Sequence, residues 1–470
     1  MKQRKITPQN TEFVILSFEG PDRYSMAGGL GVRVDNLSRV MAGMGFTTHL
    51  FFIGDPEREG EEVREGGKLI LHRWCQWVSK YYPKGVYEGE NEKLNDFNRS
   101  VPPFIKDNVV KPAVSQGKLV VVLGEEWQTA EVMCRLSDAL YYEGLRHHVV
   151  MFWNANNTFS FDRINWGRLS YTTTITTVSR YMKHIMLNMG LNPLVIPNGI
   201  PSNLLRKIDD KMAARVRQAL GADLILCKVA RWDPDKRWHE AMEATAHLKK
   251  MGMYTLLLAR GGAEPHGQEV LLGARSRGLI VREARTAETT FDAYLRALVD
   301  AVPADVINVR FFMPLDFLRV LYRAADGVLA NSGHEPFGIV GLETMAAGGV
   351  AFTGGTGEDY AIPFVNSFVL ESADAAEIVG YVMYLQDNPE EAARIRKAAQ
   401  ITARYFTWEA ALKHLISRLE NQGREQGILD GMPLPGMPKL RLRIWQAPSG
   451  RFVPAVKSSL LPQIVKGGGV

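Results

Sequence analysis

The feature that most constrains this chain is a rhythm that breaks once and restarts. Short apolar runs at 13–18, 49–53, 119–123, 149–153 and 175–178 read as strands, with helix-period stretches between them, the first at 32–44. The segment Val195-Ile196-Pro197-Asn198-Gly199-Ile200-Pro201, with two prolines and an Asn-Gly pair, then reads as a turn and linker. Beyond it, strands at 224–229, 255–259, 306–312, 327–330 and 350–353 alternate with helices at 237–250, 315–325 and 338–347. Helices at 390–404 and 408–419 close the pattern. Strands that alternate with helices call for a parallel sheet covered on both faces, so the fold class is α/β, with two doubly wound halves.

The halves are expected to divide as 1–200 and 201–405, with a less regular, aromatic insert at about 69–111. A closing helix at 406–423 is expected to pack back on the first half, followed by a tail at 424–470. With 46% apolar and 23% charged residues, disorder is excluded. Three cysteines without a CxxC pair argue against a disulfide scaffold or a cysteine zinc site. No apolar run approaches the roughly 20 residues a membrane-crossing helix needs, and a cytoplasmic location is expected. The net charge of +5 resides in the tail, where seven basic residues face two acidic ones; the rest of the chain is balanced and carries no nucleic-acid footprint.

In a doubly wound sheet, ligands bind beyond the carboxyl ends of the strands. Three features lie there. Glu335 follows the strand at 327–330, and Glu343 comes two turns into the helix that opens after it. The first amides of that helix, at Phe337, Gly338 and Ile339, can hold an anion, and a carboxylate beside them can accept hydrogen bonds from sugar hydroxyls. Arg231 directly follows a strand and Lys236 directly precedes a helix, a pair of cations suited to a diphosphate leaving group. The turn Ala27-Gly28-Gly29-Leu30-Gly31 permits close backbone approach to a ligand but does not spell GxGxxG, which disfavours a dinucleotide. Each feature also has a plain structural reading: a capped helix, a surface turn with internal ion pairs, a tight turn. Asp233-Pro234-Asp235 is not read as a metal site, because Lys236 adjoins it and no second acidic cluster completes an oxygen cage.

Taken in order, these motifs resemble the family-four retaining glycosyltransferases of the GT-B fold, which include glycogen and starch synthases. Glu335 through Glu343 resembles the family's Glu-x7-Glu element, and Arg231 with Lys236 its Arg-x4-Lys pair. Met26-Ala27-Gly28-Gly29-Leu30 resembles its glycine loop, and Glu126-Trp127-Gln128-Thr129-Ala130 the Asp-Trp-Gln-Thr-Ala of the synthases. The resemblance spans about 13–419. It implies two Rossmann-like domains facing across a cleft, a nucleotide-diphosphate sugar as co-substrate, a carbohydrate or small-molecule acceptor, and no cofactor or catalytic metal.

By the same resemblance, Arg231 and Lys236 bind the donor diphosphate, Glu335 the donor sugar and Glu343 the ribose. Gly28 and Gly29 close on the donor. Two departures stand out. Trp153 occupies the position where many relatives carry His, and Glu125-Glu126 replaces a His-Asp pair. Trp153, Asn154 and Glu126 are therefore expected as sugar or acceptor contacts, with a core tryptophan as the other reading. Beside hexosyl transfer, an epimerase or hydrolase of the same fold and a non-catalytic sugar-nucleotide binder stay open.

Overall fold

The computed structural model describes residues 5–429. The strand-like piece expected at 440–445 and nearly all of the basic tail lie outside the described residues. Two sheets carry the molecule. The first is built from β1 (Thr11–Leu16), β2 (Thr47–Ile53), β3 (Glu61–Arg64), β4 (Leu69–Trp74), β5 (Leu119–Glu125), β6 (Val149–Ala155), β7 (Thr174–Thr177) and β8 (Leu194–Val195). Its spatial order is β3-β4-β2-β1-β5-β6-β7-β8, parallel except for the β3–β4 edge pair.

The second sheet holds β9 (Leu224–Val229), β10 (Thr255–Arg260), β11 (Val281–Ala284), β12 (Val306–Val309), β13 (Gly327–Ala330), β14 (Ala351–Gly354) and β15 (Phe368–Leu370). It is parallel throughout, in the order β11-β12-β10-β9-β13-β14-β15. In both sheets the order reverses beside the first strand, which opens a crevice at the carboxyl ends. β5 and β6 are buried along their whole length and β1 at every residue but Glu12, as expected of sheets with helices on both faces.

The stretch expected as an irregular insert begins with sheet structure. Residues 69–74 form β4, paired in parallel with β2. The apolar run Leu69-Ile70-Leu71 is too short to read as a strand before the His72-Arg73-Trp74 that ends it. Arg73 is nevertheless buried, because its guanidinium forms a two-pronged pair with Asp22 at 2.7 and 3.1 Å. After the short helix Gln76–Ser79, the helix Glu90–Ile105 contains Pro102 and Pro103.

The two domains are joined twice. The amide of Ile200 donates to the Phe406 carbonyl at 2.8 Å, and the amide of Trp408 donates to the Ile200 carbonyl at 3.1 Å. Gly199 is required at this crossing, since a Cβ there would lie 2.4 Å from the Trp408 nitrogen. Helix Trp408–Glu425 then lays Trp408, Leu412, Leu415 and Leu419 into the same core as Phe13, Val34, Leu37 and Phe152 of the first domain.

Candidate functional site

The carboxyl ends of the two sheets face each other. Helix Arg180–Asn188, which follows β7, meets the loops after β13 and β14. The Tyr181 hydroxyl lies 3.1 Å from His334 Nδ1, the Arg180 amide donates to Asp359 at 3.0 Å, and His184 is 3.7 Å from Glu358.

On the second domain, the structure brings together the loop after β9 and the loop after β13. Lys236 Nζ lies 3.5 Å from Glu335 Oε2. Asp235 holds the two loops in register: its carboxylate accepts from the His334 amide at 2.9 Å and its carbonyl from the Gly333 amide at 2.9 Å. Asp233 accepts from the Asp235 amide at 3.0 Å and so caps the short turn Pro234–Lys236. The two aspartates serve as loop staples. Arg231 is exposed beside them.

Gly338 stands at the start of helix Ile339–Ala346 with φ of 74°, a backbone state that favours glycine, and the Tyr360 hydroxyl donates to its carbonyl. The helix's first amides lack intrahelical partners by geometry, so this end presents donors next to Glu335. The Phe337 ring points the other way, buried against Tyr360 and Phe406; only its backbone is placed for a ligand. Burial raises the Glu343 carboxyl to about 7.

Lys228 is a functional candidate that sequence reasoning missed. It sits inside β9, buried, where its ammonium donates to Asn331 and to the Leu329 carbonyl and lies 5.2 Å from the Trp238 ring. Burial lowers it to about 7, opposed by the charge of Glu335 and reinforced by that of Lys236. The available signal was a lysine in the middle of an otherwise apolar strand.

On the first domain, the glycine loop is organised by Glu19. This buried carboxylate accepts from the amides of Ala27 (3.1 Å), Gly28 (2.8 Å) and Gly31 (3.0 Å), and from the Tyr87 hydroxyl (2.6 Å). The Gly28 amide is therefore committed internally, while Gly29 is exposed with open space around its Cα. Glu19 is the first charged residue after β1, which was the signal for it.

The end of β5 is equally organised. Arg33 and Glu125 form a buried bidentate pair at 3.0 and 3.1 Å, and Glu125 also accepts from Asn154 (3.0 Å) and Asn156 (2.9 Å). Arg33 also donates to Asn198 in the linker. Glu126 adopts φ 67°, ψ 167°, a conformation costly for any residue with a Cβ and concentrated at functional sites. Its carboxyl accepts from the Asn156 amide at 2.6 Å, and burial raises it to about 8.

Two of the expected sugar contacts are corrected. Trp153 is fully buried: its indole N–H donates to the Glu126 carbonyl at 3.0 Å and its ring packs edge-on against Trp166. It is a core tryptophan that positions Glu126, and it has no face to offer a sugar. Asn154 is buried too, bonded to Glu125, Asn156 and Thr176. In the aromatic stretch, Trp74 and Tyr82 pack into the core edge, whereas Trp77, Tyr81 and Tyr87 are exposed.

Residues 211–402 match the family model of glycosyl transferases group 1. No curated protein matches the chain. Among solved structures, sucrose-phosphate synthase from Thermosynechococcus elongatus is similar at 18% identity with a TM-score of 0.60, over 88% of this chain and 98% of that one. The catalytic domain of starch synthase IV from Arabidopsis thaliana, bound to ADP and acarbose, is similar at 16% identity and a TM-score of 0.60, over 88% and 99%. Anabaena HepE in complex with UDP-glucose is similar at 14% identity and a TM-score of 0.56, over 87% and 99%. The architecture is GT-B, and the second domain, over residues 211–402, matches the glycosyl transferases group 1.

Proposed function

We propose that this chain, a GT-B glycosyltransferase of the glycogen and starch synthase type, moves a hexosyl group, with glucose as the favoured sugar, from a nucleotide-diphosphate sugar to a carbohydrate or small-molecule acceptor with retention of configuration. The observation that carries the reading is the approach of Lys236 to Glu335 at 3.5 Å, beside the start of helix Ile339–Ala346. A cation for the departing diphosphate and an acceptor for sugar hydroxyls then stand one sugar-width or less apart. The bound UDP-glucose and ADP in two of the similar structures agree with such a donor.

In this reading the second domain, 201–405, binds the donor and the first, 1–200, the acceptor. Arg231 and Lys236 stabilise charge as it develops on the leaving diphosphate, and the helix amides at Phe337, Gly338 and Ile339 add donors. Glu335 orients the sugar and Glu343 takes the ribose hydroxyls. The glycine loop, held by Glu19, closes on the donor through Gly29. Glu126, buried at the end of β5 with its carboxyl on the Asn156 amide, shapes the acceptor side from beneath. The chemistry is positioning and charge stabilisation, with no protein nucleophile, cofactor or metal in the reaction. No helix among the described residues is long and apolar enough to cross a membrane, and three buried free cysteines suit a reducing cytoplasm.

The test is titration with a panel of UDP-, ADP- and GDP-sugars without acceptor, followed by product stereochemistry by NMR. Tight binding of one donor and an axial-to-axial outcome support the reading. Nucleotide release at full rate without any acceptor would favour a hydrolase or epimerase, and no donor binding would leave a non-catalytic homologue.

A further inference from the structure

We propose that His239, His266 and Glu269 form a zinc site that braces the loop carrying Arg231 and Lys236. His239 is the second residue of helix Trp238–Lys250, and His266 opens helix His266–Ser276 with Glu269 one turn further on. Glu269 reaches both histidines: one oxygen lies 3.0 Å from His266 Nδ1 and the other 3.8 Å from His239 Nε2. The imidazole rings meet edge to face at 5.4 Å. One ligand atom from each residue lies within 4.8 Å of the other two. Ligands about 2.0–2.2 Å from a tetrahedral zinc stand roughly 3.3–3.5 Å from each other, so small rotations complete the set.

The mobility needed is where it should be. Glu269 is 71% exposed and free to turn, while His266 is only 15% exposed and held. The second ring nitrogen of His266, Nε2, is buried without a partner, so the polar engagement of this imidazole is with Glu269 on the side of His239. Two imidazoles and one carboxylate, with a fourth position for water, suit zinc; magnesium and calcium prefer all-oxygen shells.

The location gives the site its consequence. The two helix starts lie directly after the loops at 230–237 and 261–265. Trp232 packs on Trp238 with ring centroids 4.0 Å apart, and its amide donates to Glu264 at 3.1 Å. An ion joining His239 to His266 therefore ties together the bases of both loops behind the diphosphate clamp. It takes no part in the transfer itself.

The experiment uses full-length protein stripped with EDTA and titrated with zinc chloride by calorimetry, with melting and amide exchange in parallel. One zinc per chain, a raised melting temperature, slower exchange across 231–237, and no response to magnesium or calcium are expected. Glu269→Gln, at an exposed position that leaves folding intact, and His239→Ala should each weaken zinc binding about tenfold or more, the scale of losing one group that shapes a metal site. The double variant His147→Gln/His148→Gln, at a histidine pair in the first domain whose rings lie 4.0 Å apart, should bind as wild type. Zinc affinity unchanged in Glu269→Gln, binding lost only in the His147/His148 variant, or zinc bound with no change in exchange at 231–237 would each overturn the proposal.

Discussion

The Glu19 carboxylate lies 2.8 Å from the Gly28 amide and, through the same oxygen, also accepts from Ala27 and Gly31. A buried anion thus occupies the concave side of the glycine loop and fixes its shape before any substrate arrives. Glu19→Gln keeps the size but replaces a charge that satisfies three amides with a neutral acceptor and an unwanted donor. Bonds to a charged acceptor contribute about 1.5–3 kcal/mol, so a loss of roughly tenfold or more in kcat/KM for donor is expected. Faster amide exchange at Gly28 should accompany it. A variant with wild-type kinetics and unchanged exchange would show that the loop holds its shape without Glu19.

The pairing of Lys236 with Glu335 yields the sharpest kinetic prediction. Lys236→Ala removes a cation that acts most strongly on the charge of the transition state. Turnover should fall about 10²-fold or more, the scale for one such contact. Glu335→Gln should raise KM for the sugar donor more than it raises the Kd of the free nucleotide. Single-turnover rates with a confirmed donor make the measurement, and a near-native rate for Lys236→Ala would remove the clamp assignment.

Trp153 leads to a stability prediction. Its ring is fully buried against Trp166, and its N–H is spent on the Glu126 carbonyl. Trp153→His leaves a cavity and a smaller polar ring; truncating a buried Trp to Ala costs about 3–5 kcal/mol, and the imidazole, which fills part of that space, should cost somewhat less. A lowered denaturation midpoint is expected, with an unaltered acceptor range in the molecules that stay folded. Native stability together with a new acceptor preference would restore the residue to the sugar site.

How much of this was readable depended on whether the signal was local. The strands at 119–123 and 224–229 were legible because buried parallel strands are continuous apolar runs. Arg231–Lys236 and Glu335–Glu343 could be picked out as candidates because each spacing is carried within one continuous segment, the first in a loop and the second across a loop into helix Ile339–Ala346. β4 was not, since Arg73 is made compatible with burial only by Asp22, 51 residues away. The strands β11 and β15 are too short, at four and three residues, to show a period. Trp153 was read by position alone; which way a residue at a strand end points is set by Trp166 and Glu126, which no spacing rule reveals. Glu19 and Lys228 were passed over because their partners lie on other elements.

Glu126 gives a prediction in pH. Its carboxyl is raised from the usual 4.5 to about 8, by burial first. The folded state therefore holds a proton that the unfolded state releases between those values, and stability is full below about 4.5 and declines as pH rises toward 8. One such group contributes a slope of at most about 1.4 kcal/mol per pH unit. Glu343, raised to about 7, acts in the same direction, whereas Lys228, lowered to about 7, is bound by more protons when unfolded and favours folding as pH rises above 7. Glu126→Gln stays neutral at every pH and keeps the acceptor for the Asn156 amide. Denaturant midpoints measured from pH 5 to 8 should fall less steeply in the variant than in the wild type, with the two converging at the acid end. Parallel curves across that range would mean that Glu126 ionises without cost, and that its strained backbone, and not its proton, is what the end of β5 contributes to the cleft.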